Sequence, residues 1–264
     1  MILRCAPLAI TAVAMLAACT SPQQQRISRE ARMAERVLER EGPIGDPTSA
    51  IAAEVAFARA ARVEGQWTAF REYAAPASQI HWSGNMAEAD EWLRGRADPP
   101  QSNRWAARQA WSSCDGSTVL VIGTSTDPAG NWSRFSRIWE RQDDGDFLWK
   151  YSLSLPDPEL TRSRQERERQ RDEEAQAGNA ILVEADDFIR ATVVDCTTTP
   201  TLVPPNTPPV GTLLTGGGAS QDNTLRWIWR TMRDAPNSFG VYAWNGEGWD
   251  VIHSEIFDTD LTAR

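Results

Sequence analysis

Histidine and lysine are nearly missing from this 264-residue chain: His81 and His253 are its two histidines, and Lys150 is the lone lysine among 27 basic residues. With so few histidines and four cysteines, a structural zinc cage is excluded and no metal site or cofactor is implied. No G-x-S-x-G elbow, carboxylate-pair motif or CxxC spacing is present, so no catalytic residue is assigned. Gly216-Gly217-Gly218 lacks the Lys and Ser/Thr of a phosphate loop. The 36 acidic residues set the net charge at -9, which removes the electrostatic driver for nucleic acid and excludes it as a partner. What remains is a globular composition, 41% hydrophobic and 24% charged with twelve tryptophans, enough for one or two modest cores. The tryptophans suit core packing or stacking on sugars.

The first residues place Arg4 ahead of an apolar stretch from Ala6 to Ala18, too short to span a bilayer. It closes in Leu16-Ala17-Ala18-Cys19, which resembles the lipobox of bacterial lipoproteins. The resemblance implies a signal peptide over 1–18 and a mature chain that starts at Cys19, lipidated on its thiol and acylated on its new amine. At roughly 0.8 kcal/mol per buried methylene, several acyl chains anchor a protein to a membrane without crossing it. Thr20 stands where an Asp would imply inner-membrane retention, so the expected location is the cell envelope, on the periplasmic face of the outer membrane. In that oxidising compartment Cys114 and Cys196 remain; the expectation is a disulfide that ties the turn at Cys114 to the first strand of the tail, the alternative being two thiols.

Residues 19–45 read as a polar tether in which Ile27, Ala31, Ala34 and Leu38 recur at helical spacing before Gly42-Pro43. Asp46-Pro47 starts a helix with Ile51, Val55 and Ala58 on one face, stopped at Gly65. A second short helix turns Trp67, Phe70 and Tyr73 or Ala74 inward. Gln79 to Trp82 predicts a strand, and Asn85 with Glu88 a capping-box start for a helix carrying Trp92 and closed by Gly95. Four strands follow. Asn103 to Ser113 sets Trp105, Ala107, Gln109 and Trp111 on one face by alternation; Ser117 to Ser125 and Asn131 to Gln142 come next; Asp146 to Leu155 sets Phe147, Trp149, Tyr151, Leu153 and Leu155 on one face. On the strand 131–142, Phe135, Arg137 and Trp139 share one side while Trp132, Arg134, Ile138 and Glu140 share the other, and which side points inward stays open.

That order of elements, with the stretches Ala53-Glu54-Val55-Ala56-Phe57-Ala58-Arg59-Ala60, Gly65-Gln66-Trp67-Thr68-Ala69-Phe70 and Phe147-Leu148-Trp149-Lys150, resembles the nuclear transport factor 2-like superfamily, which includes ketosteroid-isomerase-like enzymes. The resemblance covers 46–156 and implies an α+β fold, a cone-shaped curved antiparallel sheet packed by the N-terminal helices. It also implies a pocket for a small-molecule ligand lined by Tyr73, His81, Trp111, Arg137, Trp139 and Tyr151, with His81 as proton carrier near neutral pH; the plainer reading, which takes precedence, is that the aromatics are core and His81 caps or packs. Related domains carry His or Asp near the end of the last strand, where this chain has Tyr151-Ser152-Leu153-Ser154-Leu155. Members commonly dimerise through the sheet, so a homodimer stays open unless that face is covered.

Beyond the cone, 157–179 is a charged linker, a solvated helix whose acids cancel its arginines. Residues 180–264 form a β-rich extension packed on the cone, with strands at Asp187 to Cys196, Thr224 to Met232, Ser238 to Asn245 and Trp249 to Phe257 in a small meander. A long loop, Thr197 to Asn223, joins the first two, and His253 takes a structural place in the last. Two functions follow: a lipid-anchored binding or interaction module, or a small-molecule isomerase, hydratase or hydrolase working in the cone with His81 and Tyr73 as acid and base.

Overall fold

The computed structural model describes residues 45–82, 85–176, 188–200 and 208–258; the lipobox, Cys19 and the tether lie outside them. Helix α1 (Thr48–Val63) starts where Asp46 accepts the Thr48 N–H at 2.8 Å, and its alanine-rich sequence carries little side-chain entropy penalty. Its inward face is Ala50, Glu54, Phe57, Ala58 and Ala61. The expected face is thus turned by about one residue: Val55 is 56% exposed, while the carboxylate at Glu54 is inside because three donors await it there. Gly65, at φ 119°, makes the sharp turn into α2 (Gln66–Glu72). The first turn of α2 is capped from afar, Asp98 accepting the backbone N–H groups of Trp67 at 2.5 Å and Thr68 at 3.0 Å.

Strand β1 (Ala74–Trp82) is longer than its sequence signal and turns into β2 (Asn85–Glu88). The residues read as a capping box are therefore strand, and α3 (Ala89–Leu93) is a single short helix behind them. Strands β3 (Arg104–Ser112), β4 (Thr118–Thr126), β5 (Trp132–Arg141) and β6 (Phe147–Pro156) then pair antiparallel in succession. With β7 (Arg190–Val193) they complete a seven-stranded sheet of order β2-β1-β6-β5-β4-β3-β7. It is antiparallel except where β1 meets β6 and β7 meets β3.

Two bulges correct the expected strand faces. An extra residue at Arg108 slips β3 against β4, and one at Lys150 slips β6 against β5. A one-residue insertion moves all later side chains to the opposite face. Trp105 and Ala107 therefore point toward the helices while Trp111 points away; Phe147 and Trp149 point toward the helices while Tyr151, Leu153 and Leu155 point away. The lone lysine ties the second bulge down, its ammonium donating to the Pro76 carbonyl at 2.6 Å.

After β6, α4 (Pro158–Gln176) buries no residue. It is fastened at its start, where the Trp132 N–H donates to Thr161 Oγ1 at 2.8 Å and the Arg164 guanidinium lies 4.9 Å from the Trp132 ring. Among the described residues, no helix is long and apolar enough to cross a membrane.

The tail is a second, four-stranded sheet of order β11-β10-β9-β8, built from β8 (Thr212–Ala219), β9 (Leu225–Met232), β10 (Asn237–Trp244) and β11 (Trp249–Phe257). Two expectations change here. The first tail strand leaves the meander and joins the large sheet beside β3, and its place is taken by β8, which lies inside the stretch read as loop. Glycines hid β8 from pattern reading; they are needed there because a Cβ at Gly216 would stand 2.5 Å from the Trp229 ring.

The small sheet packs on the face of the large sheet that the helices leave free. One core, with Phe57, Phe70, Val121, Trp139 and Trp149, lies between helices and sheet. A second, with Leu120, Ile138, Tyr151, Leu153, Trp227, Trp229, Phe239 and Val241, lies between the sheets. Each large apolar side chain buried there stabilises the fold by roughly 2–3 kcal/mol before entropy is charged against it. The seam is also locked by polar ties. Asp115 and Asp222 exchange N–H to carboxylate bonds at 2.7 and 2.9 Å, and the Cys114 N–H donates to Thr224 Oγ1 at 2.9 Å. Cys114 and Cys196 form a disulfide with Cα atoms 5.3 Å apart, which also draws the segment after β7 to the end of β3.

Candidate functional site

The side chains that meet inside the cone are Glu54 from α1, Arg137 and Trp139 from β5 and Trp105 from β3. Glu54 and Arg137 are 1% and 3% exposed. Glu54 Oε1 accepts from the Arg137 guanidinium and from Trp105 Nε1 at 2.7 Å; Oε2 accepts from Trp139 Nε1 at 2.9 Å. Arg137 adds a 3.3 Å bond from Nε to Ser152 Oγ. Aromatic rings wall it in, with Phe57 and Phe135 at 4.7 and 4.9 Å from the guanidinium carbon. A buried ion pair is tolerated when its remaining lone pairs and protons find partners, and here both carboxylate oxygens do. The question left open on 131–142 is settled: Phe135, Arg137 and Trp139 point in, while Arg134 points out to Asp157 and Glu255 at 2.8 and 3.1 Å.

These groups fill the cone. Beside Arg137 a cavity of about 20 Å³ remains, bordered by Gln66, Asn103, Trp105, Ser125, Phe135 and Ser154, room for about one water molecule. Ligand cavities for drug-sized molecules run to hundreds of Å³.

The six residues expected to line one pocket fall into two groups. Tyr73, Arg137 and Trp139 belong to the helix side; burial, with Glu72 and Glu64 nearby, raises the Tyr73 phenol. His81, Trp111 and Tyr151 belong to the seam between the sheets, so His81 and Tyr73 stand on opposite sides of the large sheet. For Trp111 and Tyr151 the cause is the bulges at Arg108 and Lys150. His81 Nδ1 lies 3.0 Å from the Tyr151 hydroxyl, and among the described residues Nε2 has no hydrogen-bond partner. The ring meets Phe257 edge-on at 4.9 Å, and Tyr151 stacks on Phe239 at 4.5 Å. Burial pushes the His81 imidazole down to about 4 and the Tyr151 phenol well up, so both are neutral near pH 7, and neither borders the cavity beside Arg137. His253, on β11, shares the seam: Nε2 lies 2.7 Å from Ser136 Oγ, and burial lowers its pKa, opposed by Glu255 and assisted by Arg134.

Sequence reasoning missed Glu54 as a site residue and Asp98 as a cap. The spacing of Ala50, Glu54, Phe57 and Ala61 along α1 was the signal for the first. Nothing local signalled the second, which acts across 30 residues. Among the described residues no cluster of three or more His, Cys, Asp or Glu is placed to hold a metal. On the outside, an open polar groove of about 810 Å³ runs past Arg62, Gln101, Arg104, Asp127, Trp132 and Glu168. A more apolar one of about 590 Å³ follows α1 past Ala52, Val55, Ala56, Arg59, Val63 and Tyr73.

No family model matches the chain, and no curated protein matches it. Among solved structures it is similar to nuclear transport factor 2 from Cryptosporidium parvum, at 14% identity over 43% of this chain and 98% of that one, with a TM-score of 0.33. It is also similar to an NTF2-like protein of unknown function from Pseudomonas aeruginosa, at 18% identity over 40% of this chain and 93% of that one, with a TM-score of 0.30.

Proposed function

We propose that this chain is a lipid-anchored protein of the bacterial cell envelope, held at the periplasmic face of the outer membrane through Cys19, and that it serves as a binding or interaction module on its outer surface. The observation that carries the reading is the filled cone. Glu54 spends both oxygens on protein donors, and the space left beside Arg137 is about 20 Å³. A general acid or base needs reach to a substrate atom, and neither His81 nor Glu54 has it. The Leu16-Ala17-Ala18-Cys19 sequence supports the anchor, and the Cys114–Cys196 bridge suits an oxidising compartment.

The test is binding of a fluorescent apolar probe, anilinonaphthalene sulfonate, to the folded protein. The wild-type chain and Ser154→Thr, whose added methyl group takes up the residual cavity, should behave alike, whereas saturable wild-type binding abolished by Ser154→Thr would return the function to the cone. For the anchor, Cys19→Ser should stop incorporation of labelled palmitate and release the chain from membranes. Membrane retention unchanged by the substitution would overturn it.

A further inference from the structure

Among the described residues the sheets end in four edge strands, β2 and β7 on the large sheet and β11 and β8 on the small one. An edge presents unpaired N–H and C=O groups to whatever can pair with them, and proteins blunt such edges with charge, proline, bulges or shortness. Strands β2 and β7 are four residues each and carry Glu88 and Arg190. Strand β11 carries Asp250 and Glu255 and is bulged at Ile252. Strand β8 is different: its eight residues, Thr-Leu-Leu-Thr-Gly-Gly-Gly-Ala, include no charge and no proline. It has one slip, at Leu213, after which the register with β9 runs unbroken from Leu214 to Ala219. Leu213 and Leu214 are 52% and 58% exposed.

We propose that β8 is a self-association edge, pairing antiparallel with β8 of a second copy of this chain to join two four-stranded sheets into one. Charge selects this occupant. The chain carries -9, so two copies repel each other in general, but β8 against its own copy sets no charge against another. Charged peptides find no counter-charge on it, and Gly216 to Gly218 offer no side-chain pockets by which an extended foreign strand could be chosen. Gly216 and Gly218 are required by the indoles of Trp229 and Trp227, and Gly217 by the backbone of Trp227; together they leave the strand without side chains that hinder approach to its edge. Pairing about a two-fold axis uses one patch on both copies and closes at two. The large-sheet face that the small sheet covers takes no part. The inference rests on the strand edges and not on the lipid anchor or the filled cone.

The contact is small, at the low end of interface size, so the dimer is weak and strengthens as salt screens the repulsion between copies. The experiment is native mass spectrometry of the full chain released from detergent at several protein and salt concentrations. Leu214→Lys and, separately, Leu213→Lys are compared with Val251→Lys on β11, each checked for native circular dichroism. The expected result is a dimer for wild type and Val251→Lys that grows with concentration and salt, and at least a tenfold loss of dimer in either leucine variant that retains the native spectrum. A wild-type chain that stays monomeric throughout, a dimer that survives both leucine substitutions, or a different polypeptide held at β8 in place of the second copy would each overturn the proposal.

Discussion

At the scale of single residues, Glu54 answers three donors at once, and its replacement strands all of them. Glu54→Ala leaves Arg137 charged and unpaired in an aromatic box and two indole N–H groups unmet, so a loss of about 3–5 kcal/mol is expected. Glu54→Leu combined with Arg137→Met removes the charge along with its partner and should destabilise much less than the single change. Urea unfolding of the three proteins measures this; equal losses for the single and double variants would show that the ion pair is not what Glu54 serves. His81 makes a different prediction. Its imidazole titrates near 4 in the folded chain and near 6.5 when unfolded, so the fold favours the neutral ring. Its contribution is intact above about pH 6.5 and is lost as pH falls toward 4, by about 3 kcal/mol in all. His253 is shifted in the same direction. Wild type should therefore lose more stability between pH 7.5 and 4 than His81→Phe, and parallel pH profiles for the two would rule out this role. The aromatic and ionic residues of the candidate site were legible as types: Arg137 and Trp139 stood out on a strand. Their orientation was not, because alternation says which residues share a face and nothing about which face is buried.

Among the elements, β3 and β6 show how one inserted residue redirects a strand. Alternation from Phe147 to Leu155 reads as a single apolar face, yet the slip at Lys150 divides it between two cores. The sequence carries no local mark of this, since a bulge is defined by how many residues the neighbouring strand sets against it. Strand β8 was lost for a related reason: a glycine run has no β propensity of its own, and Trp227 and Trp229 on the adjacent strand give it a place. The elements that hold the two sheets together can be tested through Cys114 and Cys196. Their bridge closes a separation of 82 residues, which in the chain-entropy account corresponds to about 4.5 kcal/mol, with measured values commonly about 2–4 kcal/mol. Guanidinium unfolding with and without reductant should show a loss in that range, matched by the Cys114→Ser, Cys196→Ser double variant; superimposable curves would exclude the contribution.

For the whole molecule, the arrangement of helices, large sheet and small sheet makes the tail part of the fold and not an appendage. Leu120, Ile138, Tyr151, Leu153 and Leu155 are buried beneath it. A chain ended after Gln176 should expose that face as an apolar patch of the kind soluble monomers avoid. It should self-associate or precipitate at concentrations where the full chain does not, as light scattering will show; a stable, dispersed truncated protein would mean that the first sheet needs no cover. The amino-acid sequence by itself determined the α+β class, the helix start at Asp46-Pro47 and most strand positions, because these follow from local propensity and turn residues. The tertiary structure decided that the cone is filled, that His81 and Tyr151 face the seam, that β7 changes sheets and that the small sheet covers the large one. Each of those outcomes depends on hydrogen-bond register and side-chain packing between residues far apart in the chain, which no local pattern encodes.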